Sequence, residues 1–274
     1  MKQLALTLVG AASLLGACGG TPDSGSPFGP LSQEEFAALH VLKEGEAPEL
    51  RGEDVQIADD GLTAYLSRSA NDDAPAILVI HEWWGLNDHI KHSADRLAAE
   101  GYHALAVDLY DGVVATTPEV ALETMKAVSP VAALSVIRKA YAYMHEDWGL
   151  GAENTGVIGW CFGGKWSLNA GMAVNEIDAV VMYYGGGFER DPENLKTLGG
   201  ELLGIFGTQD AGIPLESVEE LDTALDAAGV AHRIVTFDGE HAFANPSSGR
   251  YNEEAASAAW EETSAFFSRV LKDS

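Results

Sequence analysis

The chain has 274 residues, with 42 aspartates and glutamates against 16 lysines and arginines, which gives a formal net charge of −26 at pH 7. A surface with this charge repels nucleic acids and anionic lipid headgroups, so neither is expected as a partner. The length suits one large α/β domain and requires no second domain.

The first residues have the pattern of an export signal. Met1-Lys2-Gln3 is a positive start, and residues 4–15 form an apolar stretch too short to span a bilayer as a stable helix. The following Leu15-Gly16-Ala17-Cys18 resembles the lipobox of bacterial lipoproteins. That resemblance implies a signal peptide at 1–17 and a lipid anchor on Cys18. The alternative is an ordinary secretory signal followed by a chance cysteine.

The residues after Cys18 indicate where such a protein would be held. Gly19 and Gly20 follow the cysteine, with no aspartate directly after it, and this resembles lipoproteins of the outer membrane. We therefore expect an exported lipoprotein anchored in the outer membrane and facing the periplasm. Residues 18–30 are rich in glycine, proline and serine, which predicts a flexible tether. Residues 31–274 then form a single predicted domain.

The first predicted elements of this domain are a short helix and a hairpin. Ser32-Gln33-Glu34-Glu35 matches a capping box, which opens a helix. Residues 55–58 and 62–66 have the alternation of strands and flank Asp59-Asp60-Gly61, a turn signal. We expect this antiparallel hairpin at the leading edge of the sheet.

Beyond the hairpin, apolar runs alternate with amphipathic segments. The apolar runs predict strands at 76–80, 104–107, 155–158, 179–183, 202–206 and 233–237. The amphipathic segments predict helices at 90–100, 118–128, 130–146, 218–228 and 255–270. Because strands this apolar are buried on both faces, we predict an α/β fold with a mostly parallel central sheet flanked by helices.

The segment Gly159-Trp160-Cys161-Phe162-Gly163 joins a predicted strand to a helix start. It matches the nucleophile-elbow pattern G-x-S-x-G with sulfur in place of oxygen. The small residues on either side are needed because the backbones crowd at such a turn. A helix N-terminus also favours the thiolate form of Cys161. The alternative is a buried core cysteine, which is what most free cysteines are.

Ionisable side chains follow several predicted strands at their carboxyl ends, where chemistry collects in parallel sheets. His81-Glu82 follows the first apolar strand, Asp108 the second, Asp210 the fifth and His241 the sixth. The chain order of nucleophile Cys161, then acid, then histidine is that of the α/β-hydrolase fold. We therefore predict an α/β-hydrolase fold in which these three groups meet.

At these residues the sequence resembles the dienelactone hydrolase family, the carboxymethylenebutenolidases and their relatives. The resemblance spans about residues 50–272 and rests on four segments: HEWWGLNDHIK from His81, DLY from Asp108, GWCFGG from Gly159 and EHAFAN from Glu240. It implies an α/β hydrolase that cleaves esters or lactones through a Cys-His-Asp triad.

The family resemblance implies a role for each motif residue. Cys161 would be the nucleophile, His241 the base and later the acid, and Asp210 the carboxylate that orients the imidazole. Glu82 would contact the resting thiol and assist its deprotonation. Two backbone N–H groups would form the oxyanion hole, those of Trp83 and Phe162.

The sequence departs from the family where the substrate would bind. Family members that act on dienelactone hold its carboxylate with two arginines, where this chain has Asp111-Gly112 and Asn245. We therefore expect a neutral small-molecule ester or lactone. Aromatic residues near the motifs are the candidate lining of its pocket: Trp83, Trp84, Tyr110, Trp160 and Phe243. The alternative for these residues is a role in the core.

No cofactor and no metal is predicted. His81-Glu82 opens H-E-x-x-G, which lacks the second histidine of a zinc helix. His89 and His92 lie at a predicted helix start, where a solvated face is the expected role. No Walker or dinucleotide motif occurs in the sequence. Lys165 is expected to be a surface charge.

The sequence thus predicts a lipid-anchored hydrolase that cleaves ester or lactone bonds through a thiol ester intermediate. Two alternatives stay open. The same fold can act on another acyl group, such as a polysaccharide acetyl ester or a thioester. Otherwise the chain is a non-catalytic lipoprotein that binds a small molecule. The sequence does not indicate an oligomeric state.

Overall fold

The structure is a computed structural model that describes residues 49–59, 61–147 and 154–272. The predicted signal peptide, Cys18, the tether at 18–30 and the capping box at 32–35 lie outside the described residues. The lipid anchor and the domain start at residue 31 therefore stay predictions. Within the described ranges, no single helix is both long enough and apolar enough to cross a membrane.

The described residues form an eight-stranded sheet. In chain order the strands are β1 (Glu53–Gln56), β2 (Thr63–Ser67), β3 (Ala76–Ile80), β4 (His103–Val107), β5 (Thr155–Trp160), β6 (Ala179–Tyr183), β7 (Glu201–Gly207) and β8 (His232–Phe237). Their spatial order is β1-β2-β4-β3-β5-β6-β7-β8. All neighbours from β4 to β8 in that order pair in parallel. The predicted fold class is confirmed.

The antiparallel part of the sheet is the N-terminal hairpin. Val55 of β1 pairs with Ala64 of β2, and β2 in turn pairs antiparallel with β4. Gly61 in the turn has a φ of 88°, a conformation that glycine adopts without steric cost. The hairpin at the leading edge of the sheet is therefore confirmed.

Of the helices formed by the described residues, six lie between the strands from β3 to β8, and a seventh follows β8. They are α1 (Asp88–Ala99), α2 (Pro118–Ala127), α3 (Pro130–Ala142), α4 (Phe162–Ala173), α5 (Pro192–Leu195), α6 (Leu215–Ala228) and α7 (Glu253–Phe267). Thr117 and Ser129 cap α2 and α3, because their side-chain oxygens accept hydrogen bonds from N–H groups of the first turn. α3 and α7 each continue into a π-helical turn, at Tyr143–Asp147 and Ser268–Lys272. The short helix α5 was not predicted.

Burial follows position in the sheet. Every residue of β3, β4, β5 and β6 is buried, as expected of strands covered on both faces. β8 differs, since it lies at the edge and its residues are half-buried or exposed. The parallel pairing brings the carboxyl ends of the strands to one edge of the sheet. The candidate site lies at that edge.

Candidate active site

Cys161 lies at the turn between β5 and α4. Its backbone has a φ of 56° and a ψ of −116°, a conformation that costs a non-glycine residue about 1–3 kcal/mol. The neighbouring glycines permit this turn. A Cβ on Gly159 would collide with the backbone of Gly163, and a Cβ on Gly163 would collide with the carbonyl oxygen of Ile80. The chain therefore forms a strand–turn–helix elbow at Cys161.

Strained backbone recurs around this elbow. Four described non-glycine residues have φ values between 33° and 62°: Asp111, Cys161, Tyr184 and Ala242. Each of them follows the carboxyl end of a strand, namely β4, β5, β6 or β8. Strain of this kind persists only where surrounding packing enforces it, and it is typical of functional sites.

His241 is held between a carboxylate and the sulfur. Its Nδ1 lies 2.7 Å from Oδ2 of Asp210. The other oxygen of Asp210 accepts hydrogen bonds from the N–H groups of Gly212 at 2.8 Å and Ile213 at 3.0 Å. Cys161 lines the same cavity as the imidazole, and its charge raises the pKa of His241. The structure thus brings together the three groups that the sequence placed on separate strand ends.

Cys161, Asp210 and His241 form a cluster in which the charges of neighbouring groups shift the pKa values of His241 and Asp210. Burial alone would lower the pKa of His241, but the charges of Asp210 and Cys161 and the hydrogen bond with Asp210 raise it well above its ordinary value. Burial opposes ionisation of Asp210, yet the charge and hydrogen bond of His241 hold its pKa below the usual range. An imidazolium next to a sulfur favours the thiolate form, which is the nucleophilic form of cysteine.

Glu82 is buried beside the cluster, with 2% of its surface exposed. Its Oε2 accepts a hydrogen bond of 2.5 Å from Nδ2 of Asn245. Burial raises the pKa of Glu82 to about 7, against the opposing influence of His241, Asn245 and Tyr184. This carboxyl group can therefore take up or release a proton near neutral pH.

His81 braces the loops that carry the motifs. Its Nδ1 lies 2.6 Å from the carbonyl oxygen of Glu82, and its Nε2 accepts a hydrogen bond from the N–H of Leu109 at 3.0 Å. Burial lowers the pKa of His81, which suits this neutral tautomer. The ring also stacks on Phe162, with centroids 5.7 Å apart. His81 thus ties the loops after β3 and β4 to the start of α4.

The two residues assigned to the oxyanion hole flank the cluster. Phe162 is the first residue of α4 and follows Cys161 directly. Trp83 follows Glu82, and its side chain is fully buried. The use of their backbone N–H groups as oxyanion donors stays a prediction.

A cavity of about 180 Å³ opens next to the cluster. Its described lining includes Cys161, Phe162, Tyr184 and His241. The remaining described lining comes from four places: the segment from the end of α2 to the start of α3, the start of α4, the loop after β6 and the loop after β7, with Met125, Lys126, Val128, Pro130, Lys165, Trp166, Gly186, Gly212 and Ile213. A cavity of this size suits a compact small molecule.

The aromatic pocket expected from the sequence is not the lining of this cavity. The five aromatic residues assigned to it are at most 4% exposed, and none of them lines the cavity: Trp83, Trp84, Tyr110, Trp160 and Phe243. They pack in the core instead, where large aromatic side chains remove the most apolar area from water. Trp160 lines a separate cavity with His89 and His92.

Two further expectations differ from the structure. Lys165 is half-buried in the cavity wall rather than a simple surface charge, and burial lowers its pKa. His89 is half-buried rather than fully solvated, and burial together with the charge of His92 lowers its pKa to about 4. Among the described residues, no group of three or more histidine, cysteine, aspartate or glutamate side chains could hold a metal ion.

Comparison with known proteins identifies the family. The profile of the dienelactone hydrolase family matches residues 62–271. The chain belongs to this family. All four motif segments fall within the matched range. Membership of the dienelactone hydrolase family confirms the prediction of a hydrolase.

Individual relatives agree with this family assignment. A carboxymethylenebutenolidase-like protein of Synechocystis sp. is 30% identical over 215 residues, covering 72% of this chain and 87% of the relative. Protein usf of Aquifex pyrophilus is 32% identical over 208 residues, covering 72% and 89%. A crystal structure of a dienelactone hydrolase-like protein from Klebsiella pneumoniae superposes with a TM-score of 0.72 at 27% identity, covering 81% of this chain and all of that one.

Proposed function

We propose that the protein hydrolyses small-molecule esters or lactones through a Cys161-His241-Asp210 triad and a thiol ester intermediate. The observation that carries this proposal is the position of His241. Its Nδ1 is 2.7 Å from Oδ2 of Asp210, and its ring lines the same cavity as Cys161, whose charge raises the pKa of His241. Family membership supports hydrolysis and favours it over the alternative of a non-catalytic binding protein.

The first half of the reaction transfers the acyl group to sulfur. The thiolate of Cys161 attacks the carbonyl carbon, a C–S bond forms, and the carbonyl oxygen becomes an oxyanion. The N–H groups of Trp83 and Phe162 stabilise this oxyanion, and each donor is worth about 3 kcal/mol. The C–O bond then breaks, and His241 gives its proton to the leaving alkoxide. The products of this half are an alcohol and a thiol ester on Cys161.

The second half restores the enzyme. His241, now neutral, takes a proton from a water molecule, which attacks the thiol ester. The C–S bond breaks, the carboxylic acid leaves, and the thiolate faces the imidazolium again. Asp210 stays ionised throughout and holds the Nδ1–H of His241, so Nε2 is the nitrogen that exchanges protons.

Glu82 supplies a second proton acceptor near the sulfur. With a pKa of about 7, it exists in both forms at neutral pH. When Cys161 rests as a thiol, the ionised Glu82 takes up the proton, and the neutral acid that results no longer repels the thiolate. This role keeps Glu82 as the deprotonation partner that the family resemblance implies.

We further propose that Cys18 carries a lipid that anchors the chain to the outer membrane, on the support of the lipobox-like Leu15-Gly16-Ala17-Cys18. Expression with an alkyne-labelled fatty acid tests this. Label should enter the wild type and be lost in Cys18→Ser. Label that persists in Cys18→Ser contradicts the anchor.

The hydrolase is tested with full-length wild type, Cys161→Ala and Cys18→Ser on phenyl acetates. We expect Cys161→Ala to lose at least a hundredfold in kcat/KM. Cys18→Ser is the matched control, because it also removes a cysteine but leaves the triad intact. Full activity of Cys161→Ala would contradict the proposal.

A further inference from the structure

The lining of the cavity beside Cys161 contains basic side chains, although the chain as a whole is acidic. Acidic residues outnumber basic ones by 42 to 16 in the whole sequence. Among the described residues that line the cavity, however, two are lysines, Lys126 and Lys165, and none is an aspartate or glutamate. Protonated His241 is already balanced by the carboxylate of Asp210, so the two lysines are the positive side chains of the wall that can attract an anion.

Lys165 is the better placed of the two lysines. It lies in the first turn of α4, four residues after the nucleophile, and it is half-buried, whereas Lys126 is exposed. In the part of the chain that the structure describes, its ammonium group forms neither an ion pair nor a hydrogen bond. A half-buried ammonium group without a protein partner is an available donor for an anion.

Glu189 is the carboxylate that shares a neighbouring groove with Lys165. Its oxygens accept hydrogen bonds from the N–H groups of Arg190 and Asp191 and from Nδ2 of Asn194, at 2.8, 2.8 and 2.9 Å. Among the described residues, Glu189 thus caps its own loop and forms no ion pair with Lys165.

The rest of the wall is apolar. Val128, Trp166 and Ile213 contribute hydrocarbon and aromatic surface, and the cavity volume is about 180 Å³. The positions that carry the family's arginines, Asp111-Gly112 and Asn245, do not line this cavity. An anion bound by Lys165 would thus lie at a different place from an anion held at those arginine positions.

We propose that Lys165 is a specificity-determining residue that binds a carboxylate on the substrate. The substrate class is then a compact ester with an apolar body and a free carboxylate, rather than the neutral ester expected from the missing arginines. This inference rests on the proposed hydrolase function of the same cavity. A lysine binds such a group as a point charge, so it tolerates more than one position of the carboxylate in the substrate.

Two esters that differ in one charge test the inference, namely 3-acetoxybenzoate and its methyl ester. For each enzyme the readout is the ratio of kcat/KM for the acid to kcat/KM for the methyl ester. This ratio cancels a general loss of activity or of folded protein. We expect Lys165→Met to lower the ratio about tenfold relative to the wild type, as removal of a charge-assisted hydrogen bond does. In Lys165→Arg, which keeps the positive charge, this ratio should stay close to that of the wild type.

Lys196→Met is the matched control. It removes the same charge, but Lys196 is ion-paired with Glu193 and lies outside the cavity. Its ratio should equal that of the wild type. Raising NaCl from about 50 to about 500 mM should lower the ratio of the wild type more than that of Lys165→Met, because salt screens the attraction.

The two proposals fail in different ways. If Cys161→Ala hydrolyses both esters as fast as the wild type, the hydrolase proposal is wrong. If hydrolysis depends on Cys161 but Lys165→Met keeps the wild-type ratio, the carboxylate-binding role of Lys165 alone is wrong.

Discussion

Asn245 donates a hydrogen bond of 2.5 Å to Glu82, a residue 163 positions earlier in the chain. The side-chain oxygen of Asn245 accepts from the N–H of Ser247 at 2.8 Å, which fixes the amide so that its NH₂ group faces the carboxyl. Where family members that bind dienelactone have an arginine, this chain thus has a neutral donor. A neutral donor lowers the pKa of a buried carboxyl less than a guanidinium would, because it adds no charge.

The first prediction concerns the stability cost of Glu82. Its pKa is raised from 4.5 to about 7, so the neutral acid is favoured in the fold. The stability from this shift is fully present below the unfolded pKa of about 4.5 and is lost as pH rises through about 7. Glu82→Gln removes that loss. The free energy of unfolding in urea should therefore fall less with pH in Glu82→Gln than in the wild type. Between pH 4 and pH 8, the difference between the two proteins should change by about 3 kcal/mol in favour of the variant.

The exposed Glu254 of α7 offers the matched control for this measurement. Glu254→Gln should track the wild type at every pH. An equal effect of pH on Glu82→Gln and the wild type would show that Glu82 is not held neutral by burial.

The second prediction concerns Asn245 itself. Asn245→Ala removes a hydrogen bond that lowers the pKa of Glu82, so that pKa should rise further. In the pH profile of kcat/KM, the limb that depends on Glu82 should therefore move to higher pH. Loss of the buried partner should also cost about 1–3 kcal/mol of unfolding free energy. A stability loss with an unchanged pH profile would reduce Asn245 to a structural role.

The third prediction concerns Asp210, the carboxylate that contacts His241. Asp210→Asn removes the charge that raises the pKa of His241, so less imidazolium faces the sulfur at neutral pH. The rate of Cys161 alkylation by iodoacetamide at pH 7 should fall, and kcat/KM should fall by about a hundredfold or more. Asp238→Asn, on a neighbouring loop whose carboxylate binds Gln209, is the control. Alkylation at the wild-type rate in Asp210→Asn would argue against the ion pair.

The fourth prediction concerns the elbow. Gly163→Ala places a methyl group against the carbonyl oxygens of Ile80 and His81, so the variant should lose about 2 kcal/mol or more in thermal or urea unfolding. A methyl group on Gly186 meets only ordinary contacts at 3.5 Å from Ile213. Gly186→Ala should therefore be close to the wild type in stability, and a similar loss in both variants would contradict the close approach at the elbow.

The order of strands in the sequence predicted both the parallel sheet and the proximity of the side chains of Cys161, Asp210 and His241. Residues at the carboxyl ends of neighbouring parallel strands must lie at one edge, so Cys161, Asp210 and His241 meet once the strands are identified. Their chemical roles stay predictions until activity is measured.

The cavity wall could not be predicted in the same way. Met125 and Val128 line the cavity of Cys161 because of how the segment around the end of α2 packs, and no local sequence pattern predicts that packing. Trp84 and Phe243 belong to motif segments yet are buried, since an aromatic residue near a motif has the same sequence signal in a core and in a pocket. The contact from Asn245 to Glu82 likewise depends on tertiary packing.

The most direct measurement of the central claim is mass spectrometry of enzyme quenched in acid during turnover of 4-nitrophenyl acetate. We expect an acetyl group on the peptide that contains Cys161, removable by hydroxylamine and formed at least as fast as the enzyme turns over. Turnover at the wild-type rate with no acyl group on Cys161, or with the acyl group on another residue, would contradict it.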